Sequence, residues 1–323
     1  MPLETLDFEE PIAVLLKEIE TLTLLPRTDG RDREIAALGR RVEKARAELY
    51  RSLTPWQRVQ VARHPSRPGL EDFIARLFTG FVEIHGDRRF ADDHTIMTGF
   101  AEYKERPVLL VGHVKGKDTK EKIFRNFGYA RPEGYRKALR AMRLAEKFHR
   151  PIIVFVDTPA AYPGIESEER GVAEAIAVNL REMMLLDTPI IVIVSGEGGS
   201  GGALGIAVGD RVLMQEFAIY SVIPPEGCAS ILWRDQAKKV EAAAALKLTA
   251  PDLLRAAIID EILPEPAGGA HTDPAAAART IDAALERVLG EVSRLDAEAR
   301  LAARYDKFRN MGRLGVDFVD EGS

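Results

Sequence analysis

Short, nearly continuous apolar runs alternate with helix-spaced segments and mark residues 72–290 as an α/β domain built on mostly parallel strand pairing. The runs are Val108–Val111, Ile152–Val156, Ile190–Val194, Val212–Met214 and Ile219–Ile223. They are rich in Val and Ile, and their lack of polar alternation is what strands buried on both faces require. Between them, Tyr135, Leu139, Met142 and Phe148 mark one helix, and Ala173, Ile176, Ala177, Leu180 and Met183–Leu186 mark another.

Residues 1–71 have a different texture. Ile12, Leu15, Ile19 and Leu22 recur at helical spacing, and after a break at Pro26, Asp29 and Gly30 so do Ile35, Leu38, Val42, Ala45 and Leu49. This predicts a helical hairpin followed by a linker, with one apolar seam per helix. A hairpin this thin cannot bury its seams alone, so it is expected to pack on the main domain or on a partner. At the other end, Pro274 to about residue 309 predicts one long helix. Residues 291–323 form its end and a tail, loose from Gly312 onward. Pro264–Gly269 reads as a loop.

A chain of 323 residues with 46% hydrophobic and 29% charged residues is an ordinary folded protein. A net charge of −5 weighs against nucleic acid as a partner, because such proteins carry a basic excess. Cys228 is the single cysteine, so one chain can form neither a disulfide nor a Cys-based zinc site. Met1–Glu10 has no apolar signal core, and no apolar run approaches the roughly 20 residues needed to span a bilayer. A cytoplasmic protein without membrane contact is expected.

The densest chemical signal is Ser195-Gly196-Glu197-Gly198-Gly199-Ser200-Gly201-Gly202, directly after the run Ile190–Val194. Its glycines permit positive φ and let a ligand touch the backbone. The apolar stretch Ala203–Val208 then predicts a buried helix whose first N–H groups face an anion or oxyanion. A tight turn with no ligand is the alternative. Gly196, Gly198 and Gly201 also spell a dinucleotide fingerprint, with Glu216 downstream, but Gly209-Asp210 interrupts too early for a crossover helix of roughly ten residues or more. Gly198, Ser200 and Gly202 spell a nucleophile elbow, which would need His271 and an acid such as Asp260 or Glu265. A glycine cluster disfavours it.

A second irregular turn, Asp157-Thr158-Pro159-Ala160-Ala161-Tyr162-Pro163-Gly164, ends the run Ile152–Val156, and Ser167 is placed to cap the helix after it. One strand-plus-helix repeat separates the turns, so they should emerge side by side at one sheet edge. Such a pair suits oxyanion stabilisation; alternatively Pro159 and Pro163 only stiffen a loop. Lys115, Lys117, Lys120, Lys122 and Arg125 form a basic segment that attracts phosphates or acidic protein patches, or is simply a solvated loop. His85, His94 and His113 lack metal-ligand spacing, and core or hydrogen-bonding roles are expected.

Taken together, several blocks resemble the α-subunit family of acetyl-CoA carboxylase carboxyltransferases of the multisubunit bacterial and plastid type. They are Asp157-Thr158-Pro159, Tyr162-Pro163-Gly164, Glu168-Glu169-Arg170-Gly171, Gly196–Gly202, Pro225–Trp233, Lys115–Lys122, Asn126-Phe127-Gly128, Pro132–Ala138 and the loop through His271. The resemblance implies a crotonase-like (ClpP/crotonase) spiral of ββα units. It implies transfer of a carboxyl group from carboxybiotin on a biotin carboxyl carrier protein to acetyl-CoA, giving malonyl-CoA in the first committed step of fatty-acid synthesis. The implied partners are a carboxyltransferase β subunit in an α2β2 heterotetramer and, in the full complex, biotin carboxylase. Zinc belongs to the β subunit, and no metal is expected in this chain. By the same resemblance, the Gly201 and Gly202 N–H groups face the biotin ureido oxygen. Gly198, Gly199, Ser200, Tyr162, Pro163 and Gly164 then shape the carboxybiotin site, and the basic segment is left for the CoA or the carrier. Ala160, where glycine is expected, and Pro224, where serine is usual, depart from the pattern. A stand-alone hydratase or isomerase using Glu166 or Glu197 as acid/base, and a non-catalytic assembly subunit, are the competing readings.

Overall fold

The computed structural model describes residues 5–312. The tail expected beyond Gly312 therefore lies outside the described residues. An eight-stranded sheet runs in the order β1 (Thr79–Glu83), β2 (Ile96–Tyr103), β3 (Arg106–His113), β4 (Ile152–Thr158), β5 (Ile190–Gly199), β6 (Arg211–Gln215) and β8 (Glu261–Leu263), with β7 (Ile219–Ser221) paired to the far end of β5. Only β1–β2–β3 is antiparallel; every pairing from β3 onward is parallel.

The central strands are buried on both faces, which explains their continuous apolar runs. Ile152, Val154 and Val156, with Ile190, Val192 and Val194, point to one core shared with helices Pro132–Lys147 and Val172–Leu185. Ile153 and Phe155, with Ile191 and Ile193, point to the other, covered by helices Leu70–Leu77 and Pro274–Ser293. The first helix ends one residue before Phe148, which is exposed at its cap. In the second, the buried face runs through Val172, Ala175, Asn179 and Met183, so Ala173 and Ala177 face outward.

The hairpin forms as helices Glu10–Thr23 and Asp29–Arg51, the second capped by Thr28. It packs on its own chain at the base, where the Tyr50 ring meets Phe217 edge-on at 5.4 Å. The segment read as a linker holds two more helices, Pro55–Ala62 and Leu70–Leu77. The expected long terminal helix is two, Pro274–Ser293 and Ala297–Asn310, because Asp296 caps a new start by accepting from Ala299 N. Among the described residues no helix is long and apolar enough to cross a membrane.

Arg304, 1% exposed, fixes the last helix to the sheet. Its guanidinium donates to both Asp210 carboxylate oxygens and to the carbonyls of Met183, Leu186 and Thr188, while Asp210 also accepts from the first amide of β5. Arg304→Met should leave a buried carboxylate unpaired and lower stability by about 3–5 kcal/mol in urea denaturation. A loss under about 1 kcal/mol would show that the helix is held by its apolar contacts instead.

Candidate functional site

The two turns do emerge side by side. The ends of β4 and β5 pair in parallel, with a register shift between Val156 and Thr158 that brings Thr158 opposite Gly198. The strand β5 continues through Gly199, so the glycine segment is mostly strand, and the helix is the short Ser200–Leu204 rather than 203–208. This placement removes the dinucleotide reading, since Gly196 and Gly198 lie within the strand.

Space, not backbone conformation, explains most of these glycines. A Cβ on Gly199 would sit 1.8 Å from the Pro159 carbonyl oxygen, and one on Gly202 would sit 2.4 Å from Ala160 C and Ala161 N. On Gly196 it would meet Asp157 Oδ1 at 2.3 Å, and on Gly198 the Tyr220 ring at 2.6 Å. None of them adopts positive φ, contrary to expectation; the left-handed residue is Ser200, at φ 48°. Gly201 differs from the others. Its missing Cβ would meet only Ile176 Cδ1, at an ordinary 3.5 Å, and it is half-buried where Gly202 is buried. Ser200, Gly201 and Gly202 open the short helix, so their N–H groups have no helical carbonyl to bond.

The second turn is anchored from outside. Thr158 Oγ1 donates to Gly128 O at 2.6 Å, and Tyr162 N donates to Ala130 O at 2.9 Å. The Tyr162 ring lies against Gly164, with the Arg131 guanidinium 5.1 Å from its centroid. Pro163 is exposed. Ala160 is not among the left-handed residues, so its methyl brings no strain. Pro224 occupies the cap position of helix Pro225–Trp233 at φ −60°, which its ring favours. Ser167 does not cap: the helix begins earlier, at Ile165, and Ser167 Oγ is buried inside it.

A cluster of charges ties the turns together. Lys115 Nζ reaches Asp157 Oδ1 and Glu197 Oε2, both at 2.6 Å, and Asp157 Oδ1 also accepts the Glu197 N–H at 2.9 Å. Arg63 donates to Glu197 Oε1 through Nε and to Glu226 Oε1 through Nη1, again at 2.6 Å each. Burial alone would raise the Glu197 pKa, but the charges of Lys115 and Arg63 overcome it and hold the group down to about 2. Burial likewise opposes the charge on Lys115, and its two carboxylate partners push it up instead. Glu197 is thus a fixed anion, unsuited to the acid/base role that a hydratase would ask of it.

Other candidates fall elsewhere. Lys117 pairs with Asp72 at 2.7 Å and Arg125 with Glu71 at 3.0 Å, whereas Lys120 is exposed and Lys122 half-buried. His271, needed for a serine triad, stacks on His64 at 3.8 Å, and burial pushes its pKa down to about 3. His113 is fully buried and likewise pushed down to about 3. Arg63 was not singled out by the sequence, and Glu226 entered only within the block Pro225–Trp233, with no role of its own. Both stand beside a proline-marked helix end, and nothing local signals that they meet.

The family model described as acetyl co-enzyme A carboxylase carboxyltransferase-like matches residues 5–312. The acetyl-coenzyme A carboxylase carboxyl transferase subunit alpha of Geobacter metallireducens is 55% identical over 310 residues, 96% of this chain and 98% of the relative. That of Halalkalibacterium halodurans is 52% identical over 312 residues, 96% of each. Among solved structures, a transcarboxylase 12S with methylmalonyl-coenzyme A and methylmalonic acid bound aligns with TM-score 0.55 and 22% identity over 69% of this chain and 42% of that one. A Pseudomonas malonate decarboxylase hetero-tetramer in complex with coenzyme A aligns with TM-score 0.54 and 18% identity, covering 67% and 86%.

Steric contrast within the turn is measurable. Gly199→Ala should cost about 1–3 kcal/mol or more in urea denaturation, since backbone must move, whereas Gly201→Ala should stay within about 1 kcal/mol of the parent. Equal costs would contradict the geometry. For Glu197, a folded pKa near 2 against an ordinary 4.5 means stability that is present above 4.5 and lost as pH falls toward 2. Glu197→Gln should flatten that part of the unfolding profile.

Proposed function

The chain belongs to the acetyl-CoA carboxylase carboxyltransferase family, and from that premise we propose that its rim of backbone amides is the part of the transfer site that receives carboxybiotin. The protein is a carboxyltransferase subunit with the crotonase-like fold, and its reaction converts acetyl-CoA to malonyl-CoA. As one subunit of a multisubunit enzyme it works with partner subunits.

Carboxybiotin supplies the carboxyl group to be transferred. What this chain adds is a set of N–H donors fixed before the ligand arrives, for charge that develops on the ureido oxygen. Loss of one donor of this kind costs roughly 3–4 kcal/mol. In this reading Gly201 and Gly202 carry the donors, and Gly198, Gly199, Ser200 and Tyr162-Pro163-Gly164 shape the approach. One observation carries it: Gly201 is the residue of the turn whose glycine the fold does not require for space, and it stands half-buried at the rim. A cradle with few side chains there leaves room for the flat ureido ring to approach the N–H groups.

The acetyl-CoA half of the site, with its zinc ribbon, is assigned to a β subunit. The apolar surface beside the rim supports a partner there. A cavity of about 550 Å³ is lined by Ser200, Leu204, Val208, Val222, Leu253 and Phe308, and Val222, Ile231 and Leu232 are more than half exposed. Carrier protein and biotin carboxylase complete the complex in this reading, and Lys120 and Lys122 are the cations left for CoA phosphates or acidic carrier groups.

Malonyl-CoA formation from acetyl-CoA and carboxybiotin, measured with and without a zinc-ribbon β partner, tests the proposal. The chain alone should be inactive and the complex active. Within the complex, Ser200→Ala should keep substantial activity, and Gly201→Val should lose it while assembly persists. An inactive but assembled Ser200→Ala enzyme would replace the amide account with a nucleophile. Activity of the isolated chain on an enoyl-CoA would favour the hydratase, and an active Gly201→Val complex the scaffold.

A further inference from the structure

We infer that Arg63 is a positioning residue for the glycine rim, acting through Glu197 without touching the reacting atoms. This rests on the rim being the transfer site. Arg63 is the first residue past helix Pro55–Ala62, and its own N–H closes that helix on Val59 O, so its backbone is held by an element outside the sheet. Its side chain then reaches to β5 and to the first turn of helix Pro225–Trp233. With Pro159, Gly198, Gly199, Ile223 and Pro224 it walls a narrow cleft where the glycine strand meets β7.

The need for such a clamp follows from the strand itself. Gly196, Gly198 and Gly199 have no side chains with which to lock their backbone, and glycine loses more freedom on ordering than any other residue. Glu197 provides the one side chain in that stretch, and it is 7% exposed. Its carboxylate is held between Lys115 on one oxygen and Arg63 on the other. Remove Arg63 and a single ammonium must serve both Asp157 and Glu197, so Glu197 gains a proton more readily and its carboxylate is held on one side only. Asp157 and Glu226 are the other charged groups in direct contact with this network.

The test uses Arg63→Met, Arg63→Lys and Glu226→Gln in the assembled enzyme. Arg63→Met should lower kcat by about tenfold to a hundredfold with KM for acetyl-CoA unchanged, the cost of an angstrom-scale misplacement. Arg63→Lys should recover only part of it, because it restores the charge without the two-pronged geometry. Glu226→Gln should change kcat by less than about threefold, since the Arg63–Glu197 contact survives. Independently of any reaction, amide exchange at Gly198–Gly202 should quicken in Arg63→Met while exchange in β4 and β6 stays the same. The part of the acid limb that Glu197 supplies should also shrink, as its folded pKa rises back toward 4.5. A uniform rise in exchange would make Arg63 merely structural, and raised KM at constant kcat would make it a substrate contact. Either result, or unchanged kcat and exchange, overturns the inference. If Arg63→Met does not fold, the same readouts on Arg63→Lys decide. Local loosening of the rim in a complex that never makes malonyl-CoA would retain the clamp and discard the transfer reading instead.

Discussion

Two stretches of bare backbone meet at the rim of the sheet, and the site is built around that contact. Strands in a sheet lie about 4.8 Å apart, which leaves room for Cβ atoms above and below the plane but none between the strands. At the ends of β4 and β5 the chains come closer still, with the Pro159 carbonyl where a Cβ of Gly199 would be and Ala160 where one of Gly202 would be. The register shift after Val156 turns Asp157 across the gap toward Gly196 and the Glu197 amide. Any side chain at these glycines would push the turns apart and carry the N–H groups of Ser200–Gly202 with them.

Side chains can do little to hold a rim of this kind, since its glycines have none to pack. Charge takes over that task, in a network where two cations, Lys115 and Arg63, face Asp157, Glu197 and Glu226. Buried pairs of this sort gain little net stability over an apolar core, because desolvation offsets most of the attraction. Their value is geometric: each oxygen of Glu197 has one partner in one direction. The same logic appears further back, where Arg67 pairs with Glu265 at 2.6 Å and donates to the Ser195 carbonyl at the base of the glycine stretch. Neighbouring arginines thus fix the strand at two points from one segment between the N-terminal helices.

Much of this could be read from the chain, and the limits are physical. The central strands were legible because burial on both faces leaves no polar alternation. The edge of the sheet was not: β2 mixes Thr98 and Gly99 into its apolar run, and β8 is only Glu261–Leu263. The position of the rim was legible from glycine and proline, and so was the pairing of its turns. What stayed hidden was the reason for each glycine, because the atoms that exclude a Cβ belong to other parts of the chain. Arg63 and Glu226 were hidden for the same cause, being far apart in sequence and joined only by the fold.

Ser200 shows most directly why motif spelling misleads here. Holding a serine at φ 48° costs on the order of 1–3 kcal/mol, and strain of that size at a strand-to-helix corner is what a nucleophile elbow would display. Yet the histidine that would activate it is stacked on His64, and burial holds its pKa down to about 3, too weakly basic to take the serine proton. The strain has another source. Gly199 is held extended under Pro159 and Gly202 is buried under Ala160, so the chain must turn sharply between them, and Ser200 absorbs the turn. Its conformation is therefore a consequence of the backbone contact at the rim. That turn leaves Gly201 at the corner, half-buried, with its amide among the donors that no helical carbonyl meets. The strained residue and the proposed donor are neighbours, and only the space around them tells which is which.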